Sequence, residues 1–305
     1  MWLYQKGQEH DGLYFDVEQT VHSTDYQESR LLFSVGNPQQ RGFLTQTSEV
    51  FQRLRIGVRR SYTLIINTGI HPYFLGTFYV SPHDADLLKR SPELFEVLKN
   101  ELYNTQILST ESKTYSNYVS NKIMTGDEAS LTNAFSSFCH TTPAHSQPDR
   151  FDLDMVERAF QTDPEITLKL IGAFKARFDP NRANRTEAFE NALEALNREI
   201  EDYNTGNRYL DEIRKTIYKT CLLFIRHTLK TNFFVPEKQA LAFRLSPHYL
   251  SDLDPLHTSD LPPEKPFRVT FFFGRHGIGY HIGFSNNPFQ PSSPAEPTEM
   301  WPETQ

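Results

Sequence analysis

The apolar residues of this 305-residue chain change their repeat twice, and that change limits the folds open to it. Between Arg30 and about residue 110, short β-type runs alternate with helical stretches. From 125 to 231 the spacing is helical throughout. After Thr231 it returns to a period of two. Such a chain is α+β, with an all-helical segment between two sheet-forming parts. Apolar residues are 38% of the total and charged residues 23%, enough to build a core. At one domain per ~150 residues, about two domains are expected.

The first part carries the clearest local signals. Residues 1–29 alternate weakly and read as an N-terminal extension, with at most a short strand at Gly12-Leu13-Tyr14-Phe15. Leu31-Leu32-Phe33-Ser34-Val35, stopped by Gly36-Asn37-Pro38, reads as a strand running into a turn. Phe43, Leu44, Thr47, Val50, Phe51 and Leu54 lie on one helical face. Ser61 to Ile66 and Tyr73 to Val80 are β-branched or aromatic runs, broken by Gly69 and Pro72 and by Ser81-Pro82. Ser91-Pro92-Glu93 sets a helix start with serine as N-cap and proline at the first helical position. Gln106 to Leu108 is expected to supply a short last strand. The order β-α-β-β-α-β over 30–110 predicts a ferredoxin-like domain.

Residues 111–124 are polar and read as a connector. Thr125-Gly126-Asp127-Glu128 has the form of a capping box. Helical faces follow at Leu131, Ala134, Phe135 and Phe138, then at Ile166, Leu170, Ala173 and Phe174, at Phe189, Leu193, Leu196 and Ile200, and at Ile213, Ile217, Cys221, Phe224 and Ile225. Leu241 to Leu245 is a strand. Phe267 to Phe273 is another, with Gly279 to Phe284 able to pair back on it. Residues 286–305 hold five prolines and no Gly, Val, Ile or Leu, so they read as a disordered tail.

Composition excludes several functions. The net charge of −7 argues against nucleic-acid binding by phosphate neutralisation. No stretch approaches the ~20 apolar residues of a membrane span, and the mean hydropathy is −0.55. The start, Met1 to Asp11, has no basic-then-apolar leader. Two cysteines cannot form a metal cage or a disulfide framework. These features predict a soluble cytoplasmic protein that takes neither nucleic acid nor membrane as partner.

Catalytic patterns are absent. There is no nucleophile elbow, phosphate loop, His-Glu-x-x-His or Cys-x-x-Cys. The Gly274/Gly277/Gly279/Gly283 spacing does not fit a dinucleotide fingerprint, and no helix follows it. His276 and His281, five apart, fall on opposite faces of a continuous strand and read as ordinary turn and strand histidines. Cys139 beside His140 reads as a helix-end residue, and Cys221 as a small hydrophobe. Arg53, Arg55, Arg59 and Arg60 form a basic cluster, read as a solvated helix-to-strand connection. The loop Asn37-Pro38-Gln39-Gln40-Arg41-Gly42 opens a helix whose first N–H groups can hold a carboxylate. Asn37, Arg41 and Gly42 are its candidate effector-binding residues.

Two resemblances extend this reading. The β-α-β-β-α order with that loop resembles an ACT-type regulatory domain, a family that often binds free amino acids there. The usual acid followed by Pro-Gly is replaced here by a longer segment without the acid. Four further segments resemble the large, multidomain NAD-dependent glutamate dehydrogenases of bacteria. They are Leu168 to Pro180, Arg226 to Phe234, Lys238 to Pro247 and Phe267 to Ser285, in the family's order. The resemblance implies that 125–231 is a helical domain and that 232–285 begins a catalytic-domain sheet.

In that family the Ser285 position leads into an Arg-Gly-Gly run, catalytic lysines and a nucleotide-binding domain. Here the sequence continues Asn286-Asn287-Pro288-Phe289-Gln290, which reads as a frameshift or truncation. No catalytic, cofactor-binding or metal-binding residue therefore carries over. The resemblance implies NAD as cofactor of the full-length family, with none bound by this chain. It implies a fragment of a glutamate-deaminating enzyme, inactive alone. Its partners would be a second copy of itself, a complementing catalytic chain or an amino-acid effector. The alternative is a stand-alone amino-acid-sensing or scaffold module. In either case the phenylalanine-rich strand at 267–273 is expected to be an exposed, aggregation-prone edge.

Overall fold

The computed structural model describes residues 1–10, 12–23, 26–38, 42–67, 69, 71–108, 112–141, 150–235, 238–249, 252, 268–275 and 277–283. It divides into two compact units, Met1–Asp127 and Glu128–Gln305. Arg41, His276, Phe267 and the tail 286–305 lie outside the described residues.

The first unit runs α1 (Trp2–Glu9), β1 (Leu13–Ser23), β2 (Tyr26–Gly36), α2 (Phe43–Arg53), β3 (Val58–Asn67), β4 (Pro72–Val80), α3 (Pro82–Arg90) and α4 (Pro92–Asn104). A π-helical turn at Tyr115–Val119 follows. All sheet pairs are antiparallel, and the order is β1-β2-β4-β3.

Strand alternation builds the core. Leu31, Phe33 and Val35 point to the face covered by α2 and α4, and all three are fully buried. Phe33 lies opposite Gly76, between Phe78 and Phe74 on β4. A Cβ at 76 would sit 2.7 Å from the Phe78 ring and 2.9 Å from the Phe74 ring, so the stack needs glycine there. Phe43 and Phe51 of α2 meet the Phe74 and Phe78 rings, each at 4.9 Å. The other face of the sheet takes α1, where Gly7 passes so close to Ser34 that a Cβ would stand 2.2 Å from its hydroxyl.

Several expectations change here. The chain before residue 30 is not an extension without structure of its own, because α1 and β1 are integral to this sheet. A helix, α3, follows Ser81-Pro82, with Ser81 Oγ accepting from the Asp84 N–H at 3.1 Å. Ser91 caps α4 as expected, accepting from Leu94 N–H at 3.3 Å. Gln106 to Leu108 is not a strand. Its backbone closes turns on α4, with Leu108 N–H donating to Asn104 C=O at 3.0 Å, and the Leu108 carbonyl accepts from Gln46 Nε2 at 2.7 Å. Those groups are unavailable to a ladder. The edge beside β2 is filled by the N-terminal β1 instead, so the strict β-α-β-β-α-β ferredoxin-like order is not the one observed. The polar connector also has a buried side, formed by Tyr115, Tyr118 and Val119.

The second unit holds α5 (Gly126–Thr141) from Glu128 onward, α6 (Leu153–Thr162), α7 (Pro164–Phe178), α8 (Arg185–Glu201) and α9 (Arg208–His227). They are followed by an antiparallel sheet in sequence order, β5 (Thr228–Thr231), β6 (Ala240–Leu245), β7 (Arg268–Gly274) and β8 (Gly277–Gly283). The predicted helical faces are the buried ones: Leu131, Phe135, Leu170, Phe174, Ile217 and Ile225 are at most 1% exposed. Asp152 caps α6 through Met155 N–H at 2.7 Å, and Asn207 caps α9 through Leu210 N–H at 3.3 Å.

Strand β7 is not an exposed edge. It lies between β6 and β8, and Val269 and Phe271 are fully buried. The outer strand next to it is β8, where Ile278 and Ile282 are exposed. The described residues therefore remove the reason to expect aggregation through β7.

Candidate functional site

The predicted effector loop leaves β2 through Asn37, which has a left-handed backbone (φ 51°) and donates its N–H to the Pro72 carbonyl at 2.7 Å. The loop enters α2 through Gly42, also left-handed (φ 71°), whose carbonyl accepts from Gln46 N–H at 2.8 Å. No side chain caps α2 among the described residues, and its first turn has no acid. The positive end of that helix dipole is thus not answered by a carboxylate in its own first turn. Asn37 and Gly42 flank the loop from either side, and Arg41 is not described.

The basic cluster behind α2 is not uniformly solvated. Arg53 turns inward and donates from Nη2 to Glu101 Oε2 at 2.6 Å and from Nη1 to the Tyr115 hydroxyl at 3.2 Å. Tyr115 in turn donates to Glu49. Glu101 is buried, and its second oxygen accepts from Gly126 N–H at 2.9 Å. Burial pushes the Glu101 carboxyl up, while the Arg53 guanidinium pulls it down. A Cβ at Gly126 would lie 2.6 Å from Asn104 and 2.7 Å from Glu101, so only glycine brings the chain this close. The network joins α2, α4, the π-helical turn and Gly126, all within the first unit. It reads as structural, because every member is answered by another protein group. Sequence spacing carries no sign of it, since Arg53 and Glu101 are 48 residues apart.

In the second unit the four family-like segments meet in one aromatic core. Phe174 from the first lies 5.4 Å from Phe233 of the second and 6.0 Å from Phe243 of the third. Phe243 stacks on Phe271 of the fourth at 6.1 Å. Phe224 and Phe138, 4.4 Å apart, close the cluster from α9 and α5. Segments far apart in sequence are thus partners in packing.

The thiols and histidines named in the sequence take ordinary places. Cys139 and Cys221 are fully buried, and Cys139 Sγ contacts the Ile217 carbonyl at 3.6 Å. Burial, and then Cys139 beside it, pushes the Cys221 thiol well up, away from the reactive thiolate. His140 Nδ1 lies 2.9 Å from the Phe151 carbonyl rather than on Cys139. His281 is exposed on β8. Among the described residues no group of three or more His, Cys, Asp or Glu side chains is placed to hold a metal. No helix of the described residues is long and apolar enough to cross a membrane.

A second polar cluster was not legible in the sequence. Asp163, at the α6–α7 junction, accepts from the hydroxyls of Tyr203 and of Tyr218, the latter at 3.0 Å. Arg214 donates to the Tyr203 oxygen at 3.1 Å. Burial first, then the Asp163 bond, pushes the Tyr203 hydroxyl up to about 12. A shallow groove beside it is rimmed by Glu165, Glu199 and Asp202, with Lys169 bridging Glu165 and Glu199 at 2.9 and 2.8 Å. Its charges are largely answered internally, and it presents no nucleophile paired with a base.

No protein-family model matches the chain. It is similar to glutamate dehydrogenase 2 of Dictyostelium discoideum, 32% identical over an alignment of 145 positions that covers 45% of this chain and 12% of that protein. It is also similar to the NAD-specific glutamate dehydrogenase of Saccharomyces cerevisiae, 25% identical over an alignment of 293 positions that covers 93% of this chain and 22% of that protein. These relatives come from a slime mould and a yeast, so the expected bacterial assignment gains no support from them. The chain spans less than a quarter of the length of either. The chain is thus distantly similar to two glutamate dehydrogenases, one of them named NAD-specific and matched along 93% of this chain.

Proposed function

We propose that these residues act as a non-catalytic, structural part of a cytoplasmic glutamate dehydrogenase that uses NAD. The complete enzyme would interconvert glutamate with 2-oxoglutarate and ammonium. The observation that carries this reading is the match over 93% of the chain to a protein named as NAD-specific glutamate dehydrogenase, of which it spans 22%. The convergence of the four family-like segments on one core supports it, since it gives their order a physical reason. The hydride donor and the base for amine attack would then come from outside the described residues. The test is NADH oxidation by the purified chain with ammonium and 2-oxoglutarate. We expect none, and turnover that survives removal of contaminating enzyme would overturn the assignment of a non-catalytic role.

A second reading is favoured by one observation, the α2 N-terminus that no described side chain caps. An ACT-like role would place the carboxylate of a free amino acid there, between Asn37 and Gly42. A ligand at about 100 times its Kd stabilises by roughly 2.7 kcal/mol, which a thermal melt resolves. Melts of the chain with each of the twenty amino acids at high millimolar excess would show one or two that raise the transition. A flat panel removes this reading.

A further inference from the structure

The second unit brings the only two cysteines of the chain together, one from α5 and one from α9. Each thiol taken alone packs like a small hydrophobe. Taken together they are a pair. Cys139 Sγ lies 3.6 Å from the carbonyl of Ile217, 78 positions away on α9. Ile217 and Cys221 stand one helical turn apart, and a helical side chain leans over the turn that precedes it. The Cys221 sulfur therefore leans toward the place Cys139 occupies, and the two thiols are within hydrogen-bonding reach of each other. Neighbouring rings fix the contact: Phe224 of α9 meets Phe138 at 4.4 Å and Phe135 at 5.9 Å. A buried residue touches roughly 6–12 others, so a second cysteine placed at random among 305 residues would be one of them about one time in thirty.

We propose that Cys139 and Cys221 form an oxidation site, at which a peroxide closes a disulfide that ties α5 to α9. One sulfur attacks the O–O bond and keeps one oxygen as a sulfenic acid, while the departing hydroxide takes the thiol proton and leaves as water. The second sulfur then attacks the first, forms the S–S bond and expels the oxygen with its own proton as a second water. The two thiols lose two electrons and two protons in all, and one peroxide is reduced to two waters.

The setting selects the oxidant and orders the steps. Both cysteines are 0% exposed, so the oxidant has to be close to water in size. The first attack is slow, because Cys139 donates its S–H to the Ile217 carbonyl and burial keeps the proton on Cys221. The second attack is fast, because the partner sulfur is already in contact. A sulfenic acid formed there closes to the disulfide before more peroxide carries it to the sulfinic acid. Drawing the sulfurs from contact to a bond of ~2.05 Å takes a movement of about 2 Å, which rotation of two short side chains supplies. The cross-link encloses about 80 residues and restricts the unfolded chain, so it stabilises the second unit. This inference does not depend on the chain being part of a dehydrogenase.

The experiment treats the reduced full chain under native conditions with a few equivalents of hydrogen peroxide. Catalase removes the excess, the chain is unfolded in iodoacetamide, and intact masses and unreduced peptide maps are read. The expected product has lost two hydrogens, takes up no alkyl group and yields a linked Cys139–Cys221 peptide. A phosphine returns it to two alkylated thiols. Its melting transition should stand about 5–15 °C above that of the reduced chain. Oxidation confined to one cysteine, oxidation of either to the sulfinic acid, or a disulfide between two chains overturns the proposal. So do two unchanged thiols in a chain whose methionines have been oxidised, because the dose was then sufficient. A linked peptide whose formation leaves the transition unchanged or lowers it overturns the claim that the disulfide fits the folded unit.

Discussion

Replacing Arg53 by methionine should destabilise the first unit through the charge left behind. Arg53 and Glu101 meet at 2.6 Å with side chains 16% and 9% exposed, so water screens the pair little. Methionine keeps most of the aliphatic volume but strands the Glu101 carboxylate, and breaking one side of a buried pair costs about 3–5 kcal/mol. We expect about 3 kcal/mol, because Gly126 N–H still serves the other carboxylate oxygen. The pH dependence follows from the direction of the shift. Burial already holds the Glu101 carboxyl above its ordinary value, and losing Arg53 raises it further. A carboxyl raised on folding contributes stability that is present below its unfolded value and is lost as pH rises through its folded one. The penalty of Arg53→Met should therefore be full at pH 8 and smaller near pH 5. Adding Glu101→Gln keeps an acceptor for Gly126 and removes the charge, which should restore stability to within about 1 kcal/mol of the parent at both pH values. The assay is urea unfolding followed by fluorescence in a Trp301→Phe background, where Trp2, packed edge-on against Tyr14 at 5.8 Å, reports the first unit alone. A penalty below about 1 kcal/mol, or one equal at pH 5 and pH 8, would refute the reasoning.

Other expectations follow from packing. Gly76→Ala puts a methyl group into the Phe74 and Phe78 rings and should cost about 1–3 kcal/mol in the same unfolding assay. Phe224→Ala opens a cavity where Phe138, Phe243 and Phe271 meet, and should lower the transition of the second unit by about 3–5 kcal/mol in denaturant melts followed by circular dichroism. Cys139 and Cys221 should resist alkylation in the native protein and react only on unfolding, as counted by mass spectrometry.

The helical half was legible because long periodic faces survive into the fold unchanged. Ile213, Ile217, Cys221, Phe224 and Ile225 are all buried as their spacing requires. The sheets were harder, because a strand's partner depends on residues far away. Nothing near Gln106 shows that β1 already holds the edge the first domain's last β segment was expected to fill. Nor does the phenylalanine content of β7 show that it is an interior strand. Helix α1 was missed because its apolar surface is small and its contact with the sheet runs through Gly7, which a propensity reading treats as a breaker. The Arg53–Glu101 and Asp163–Tyr203–Tyr218 clusters are assembled across 40 or more residues, where no local pattern forms. The loop after β2 was legible as a helix entrance, with left-handed Gly42 where a glycine was singled out.

The assignment to a glutamate dehydrogenase is tested most directly by a chimaera. The matched region of the yeast NAD-specific enzyme, the part that aligns with 93% of this chain, would be replaced by this chain and the glutamate-dependent reduction of NAD measured. The account predicts that the chimaera turns over while the isolated chain does not. A chimaera that folds and assembles but shows no activity would contradict it.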